Sequence, residues 1–187
     1  DVILYMTDQY EKNPAITIIT HRNYDRIDNV SVFLIASPII KKWHPQLTIG
    51  LQKQWMDIEH NSRMLSTDGP LLIGRFNNGI QFPYGWTLHV DLFFQGKGDF
   101  QNIYINKNVF MMDASLTKSF FDDRLSFNLQ GIDLTHGRKD GNVIYNKHMD
   151  LTVNNVTDSR EVRLTVRYKF NTTKNKYTGK GAAEADI

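Results

Sequence analysis

Apolar and polar residues alternate strictly near the end of the chain. Val162, Leu164, Val166, Tyr168 and Phe170 share one face, and Glu161, Arg163, Thr165, Arg167 and Lys169 share the other. A period of two marks a strand with unlike faces. Trp86, Leu88, Val90, Leu92 and Phe94 repeat the theme opposite Thr87, His89, Asp91 and Gln95, with Phe93 the exception. Leu125, Phe127 and Leu129 alternate with Ser126, Asn128 and Gln130, and Phe110, Met112, Ala114, Leu116 and Phe120 with Asp113, Ser115, Thr117 and Ser119. Helical periodicity is almost absent. The patterning predicts an all-β chain, an antiparallel up-and-down meander of nine strands at about 2–10, 15–23, 29–40, 46–57, 71–82, 85–96, 108–120, 124–134 and 160–170.

Length refines this. Soluble strands centre on about 5–6 residues, whereas a tilted strand crossing a bilayer needs about 9–11, and most of these reach the longer figure. The connections also alternate. Short ones at 11–14, 41–45, 83–84 and 121–123 are interleaved with longer ones at 24–28, 58–70, 97–107 and 135–159. In a meander, alternate connections lie on the same side, so one rim carries tight turns and the other long loops. Outer-membrane barrels have this asymmetry, with short periplasmic turns and longer extracellular loops. Tyr10, Trp43, Phe82, Tyr84, Trp86, Phe120, Phe121, Tyr168 and Phe170 gather at the tight-turn rim. Amphipathic rings suit the headgroup level, so Trp43, Tyr84, Trp86, Tyr168 and Phe170 are expected to form part of an aromatic girdle.

Composition changes this picture little. Twenty-two basic and twenty acidic residues give a net charge of +2, too balanced to imply nucleic acid as a partner. There is no cysteine, hence no disulfide framework and no thiolate metal site. No apolar run approaches the roughly 18 residues of a membrane-spanning helix, but a barrel wall shows only half of each strand to lipid. A chain that opens at Asp1 without a signal peptide reads as a fragment or a processed product.

The segment RLSFNLQGIDL, a variable loop, then DSREVRLTVRYKFN and NKYTGKGAAEAD resemble the end of the Bacteroidetes outer membrane protein beta-barrel family. SPIIKKWHP, FNNGIQFPYGWTL and LTKSFFDDRLSF agree with it, so the resemblance covers nearly the whole chain. It implies the C-terminal segment of a transmembrane β-barrel, that of a TonB-dependent receptor in the bacterial outer membrane importing a glycan, siderophore or similar nutrient. It also implies a full barrel of about 22 strands around a plug. Residues 1–170 would be the last nine strands and 171–187 a flexible periplasmic tail. The Tyr168-Lys169-Phe170 end would be the signal read by the assembly machinery. Outer-membrane lipid, the remaining strands, the plug and, through the plug, the TonB system are the implied partners. No plug and no energy-coupling segment is present, and nine is odd where bacterial barrels are even; an open, curved sheet with unpaired first and last strands, or an artificial closure of the two, is expected.

No catalytic constellation is legible: there is no G-x-S-x-G, no Walker loop and no H-E-x-x-H. No enzyme activity, cofactor or metal is expected. His89 beside Asp91 provides too few ligands for a closed metal site. Asp122 and Asp123 read as turn residues. Arg163, Arg167 and Lys169 form a basic row on the expected lumenal face, which either attracts anions or is neutralised by neighbouring acids. Lys118 falls on the lipid face near the turn rim, where it can snorkel; Lys53 falls on it nearer mid-strand, without an evident reason. The long connection that starts at Thr135 and ends at Ser159 holds a strand-like stretch at 143–153, expected to be a hairpin above the membrane and, by analogy, the part most suited to touch a ligand. The same alternation would also suit a soluble lipocalin-like ligand-binding β-barrel, with its apolar face turned inward.

Overall fold

A computed structural model describes residues 2–10, 12–145 and 149–170; the expected tail at 171–187 lies outside them. Nine long strands cross from rim to rim: β1 (Val2–Tyr10), β2 (Asn13–Tyr24), β3 (Asp28–Ala36), β4 (Trp43–Trp55), β7 (Leu71–Phe82), β8 (Trp86–Gln95), β11 (Val109–Phe120), β12 (Leu125–Ile132) and β15 (Glu161–Tyr168). Six short ones lie in the long connections: β5 (Asp57–His60), β6 (Arg63–Ser66), β9 (Gly98–Phe100), β10 (Ile103–Ile105), β13 (Gly141–Tyr145) and β14 (Asp150–Asn154). Seven of the long strands form one antiparallel sheet in the order β15-β12-β11-β8-β7-β4-β3.

Register sorts the two faces across this sheet. Trp43, Ile80, Leu88, Leu116, Leu129 and Leu164 are successive partners on six strands, an unbroken apolar row. One residue further along each strand, His44, Gly79, His89, Ser115, Gln130 and Arg163 form the matching row of the opposite, polar face. A slip of one residue would exchange every side chain between the faces, so the alternation itself holds the register. Among the described residues nothing covers the apolar face: Val32 is 64% and Leu164 65% exposed.

Burial is concentrated elsewhere. The buried apolar side chains among the described residues are Leu4, Met56, Ile58, Leu71, Ile105 and Val109, all at the loop-side ends of long strands or in the connections above them. Leu4, Met56 and Ile58 form a small core with Val2, Tyr24, Ile27, Leu65 and Tyr145 against it.

Three expectations need correction. β1 and β2 pair with each other in a separate two-stranded sheet, so β3 rather than β1 is an edge of the main sheet. The long connections at 58–70 and 97–107 are not plain loops: β5 pairs with β6, and β9 and β10 join β13 and β14 in a four-stranded sheet ordered β14-β13-β10-β9. The expected hairpin at 143–153 is thus present as β13–β14, but laid edge to edge on β10 rather than standing alone. The third concerns strand ends. β4 begins at Trp43, three residues earlier than expected, because Pro45 does not end it. Its missing N–H is harmless there: β3 has its last ladder pair at Ala36 and Leu47, while on the other side Pro45 still faces Asn78 of β7.

Candidate functional site

The short connections define the lower rim. β7 and β8 are joined by a single 3-10 turn, Pro83–Gly85, in which Tyr84 takes a left-handed φ of 61° and stands 89% exposed. Trp43, Trp86, Tyr168 and Phe170 are also exposed along this rim, and Tyr168 and Phe170 meet edge to face at 4.6 Å between centroids. These five aromatic side chains are thus exposed together along one rim. Lys118 is drawn to the same rim. Its ammonium donates to the Tyr84 carbonyl and lies 5.2 Å from the Trp86 ring and 5.0 Å from Phe120. The aliphatic stem lies along the apolar face while the charge is solvated at its edge.

Lys53 does the same at the upper rim. β4 ends at Trp55, so Lys53 is two residues from its end and not near mid-strand. Its ammonium reaches Asp68 of the following connection at 4.0 Å and stacks over Trp55 at 5.3 Å.

Above that rim the connections are locked together by buried polar side chains. Gln54 is fully buried. Its amide donates to Thr67 Oγ1 at 3.0 Å and to the Gln101 carbonyl at 2.6 Å, and its Oε1 accepts the Gln101 N–H at 2.6 Å. The side chain thus pairs with the Gln101 backbone as a neighbouring strand would. Asn102, also buried, exchanges bonds with Tyr145, whose N–H donates to the Asn102 carbonyl at 2.9 Å. One chain of hydrogen bonds therefore runs from β4 through the β9–β10 turn to β13. Two acids complete the layer. Asp99 accepts the Gly69 N–H at 2.7 Å; burial pushes its carboxyl above the usual range despite that bond, and the Asp68 charge adds to the rise. Asp133 is buried too, and burial works to raise its carboxyl. Hydrogen bonds from the Ser159 hydroxyl and the N–H groups of Gly137 and Arg138, with His136 nearby, outweigh it and hold the group below the usual range. Gly137 is required where it stands: a Cβ there would lie 1.6 Å from the Phe110 carbonyl oxygen.

The basic row divides. Arg163 is engaged by Glu161 two residues earlier on the same face, with Nη2 2.8 Å from Oε1. Arg167 faces Ser126 across the ladder. Lys169 lies beyond the end of β15, although its N–H still donates to the Arg124 carbonyl at 2.8 Å. His89 and Asp91 occupy the polar face as expected, and no group of three metal-ligating side chains occurs among the described residues. Gln54, Asn102 and Asp133 carried no signal in the sequence: a lone Gln on the polar side of an alternating strand is indistinguishable from its hydrated neighbours.

A sheet apolar on its outer face and polar on its inner face, with turns on one rim and a built layer on the other, is the wall of an outer-membrane β-barrel. A model of the outer membrane protein beta-barrel family matches residues 1–168, and the chain belongs to that family. It is thus an outer-membrane protein of bacteria, in contact with membrane lipid. No curated protein and no solved structure matches the chain.

Proposed function

We propose that this chain is part of the barrel wall of a TonB-dependent receptor that imports a nutrient such as a glycan or a siderophore, and that it performs no chemistry of its own. The observation that supports this best is the interlocked layer over the outer rim. Connections from three different places in the meander are joined into one hydrogen-bonded surface above a polar inner face. Such a surface, extending over the connection from Thr135 to Ser159, can present fixed contacts to an arriving solute. Import changes no covalent bond, so it asks for no nucleophile or general base in the wall. A soluble carrier would turn its apolar rows inward; here they are uncovered.

The remaining partners follow from the open edges. β3 and β15 are the ends of the main sheet, and an unpaired strand edge in hydrocarbon leaves backbone groups without hydrogen bonds. Further barrel strands would pair these edges, a plug would fill the lumen, and the TonB system would act through that plug. The test is uptake of a labelled candidate nutrient by cells carrying the full-length protein, with and without the proton gradient. Accumulation that stops when the gradient is dissipated is expected. Uptake unaffected by the gradient would make the protein a passive pore instead.

A further inference from the structure

Phe93 breaks the polar rule of the inner face, and its neighbours show where. In register, Arg75, Phe93 and Met111 lie side by side on β7, β8 and β11. The next row toward the turns is Asn77, Asp91 and Asp113. Both rows line a cavity of about 320 Å³, to which Arg138 of the outer layer also contributes. That volume lies at the small end of the usual range for small-ligand sites, about 300–1,000 Å³.

The charges around this cavity face water (Arg75, Asp91 and Arg138 are exposed and Asp113 is half-buried) and are not paired with one another. Arg75 holds its guanidinium over the Phe93 ring, 5.7 Å from the centroid, rather than on a carboxylate. Neither Arg75 nor Arg138 has an ion-pair partner among the described residues, and the Asp91 carboxylate has neither an ion pair nor a hydrogen bond there. Asp91 and Asp113 stand directly opposite each other, an arrangement that destabilises an antiparallel pair unless something positive or donor-rich faces it. One Asp113 oxygen accepts the Asp133 N–H at 2.7 Å; the rest of the acid pair is open to the cavity. Cationic groups, an apolar patch and an acid pair thus share one small space.

We propose that this cavity recognises a short zwitterionic peptide entering from the outer side. Arg75 and Arg138 take its carboxylate, the Asp91–Asp113 pair takes its ammonium, and an apolar side chain rests on Phe93 and Met111. The two rows are two residues apart along the strands, about 7 Å. An extended chain covers about 3.3–3.6 Å per residue, so the termini of a dipeptide span that distance. The inference rests on the receptor reading above and assigns it a substrate class.

The test is direct binding of the dipeptide Gly-Phe to the full-length protein purified from outer membranes in detergent, followed by calorimetry. N-acetyl-Gly-Phe, Gly-Phe amide and maltotriose serve as comparisons. Wild-type protein should bind Gly-Phe and discriminate against each blocked form roughly tenfold to a hundredfold, the effect of one charge-assisted contact. Asp91→Asn should abolish discrimination against the acetylated form alone, and Arg75→Gln discrimination against the amide alone. Heat-modifiable migration on gels verifies that each variant is folded. Three results overturn the proposal: no Gly-Phe binding by folded protein (as when a segment of the protein itself fills the cavity), equal binding of the blocked forms, or maltotriose binding sensitive to the same two substitutions. Gradient-driven uptake of another solute, with no peptide binding, would overturn this site and leave the receptor reading standing.

Discussion

At the scale of single residues, Asp133 shows how a buried carboxylate in this chain is matched by several donors at once. Its carboxyl is held below the ordinary range, near 4 in the unfolded chain, by the hydrogen bonds that outweigh its burial. A depressed carboxylate stabilises the folded segment above its unfolded pKa, and that contribution is lost as the pH falls through the folded value. The protection of the Gly137 and Arg138 amides, measured against the exchange rate of the unfolded chain at the same pH, should therefore be high at neutral pH and fall below about pH 4. Asp133→Ala should remove the protection at all pH values, at a local cost of about 1–3 kcal/mol for the donors left unmatched. Amide hydrogen exchange followed by mass spectrometry reads both; protection unchanged in the variant would show that Asp133 does not hold the segment. Lys118 was legible in the sequence because its place near a tight turn fixes what its ammonium can reach. Lys53 was not, because its reason depends on where β4 ends, and an alternating pattern marks faces far more sharply than ends.

At the scale of elements, the long strands were legible for a simple reason. Each has one face in lipid and one in water, so each carries the full contrast between its odd and even positions. The short strands of the outer layer are surrounded by protein and solvent on both sides; Gly98–Phe100 and Ile103–Ile105 show no such contrast, and neither do the hydrogen bonds that join them to β13. The layer depends instead on a few buried contacts. Gln54→Ala should leave the Gln101 N–H and carbonyl without partners, costing about 1–3 kcal/mol for each group. Gln54→Glu, nearly the same shape, should be as damaging, because an ionised carboxylate cannot donate to the Gln101 and Thr67 oxygens. Limited proteolysis within residues 96–108 is the measurement: faster cleavage in both variants, with the folded barrel intact, is expected. Resistance equal to wild type would place the joint elsewhere.

At the scale of the whole molecule, the apolar rows are outside and the buried core is in the outer layer. The described chain therefore has no interior that water alone would enforce on the long strands. The full chain should be insoluble or aggregated without detergent and should gain β-sheet circular dichroism on transfer to micelles. A soluble monomer with a cooperative melt in plain buffer would contradict the orientation of the faces. The tight turns and the two-faced strands made this much evident from sequence; the cavity beside Phe93 was not, since the charges around it come together only when three strands are in register.

The joining of the outer connections also limits how this protein can change over generations. Surface loops usually accept substitutions and insertions independently of one another. Here a change at Gln54 must be answered at Thr67 and at the turn around Gln101, residues that no single short insertion or deletion alters together. Latitude is left to positions outside the joint, such as the exposed Val156, Thr157 and Asp158 between β14 and β15. Variants of this protein that acquire new specificities should therefore differ at such tips and in the lumenal wall, while the joint itself changes only as a set.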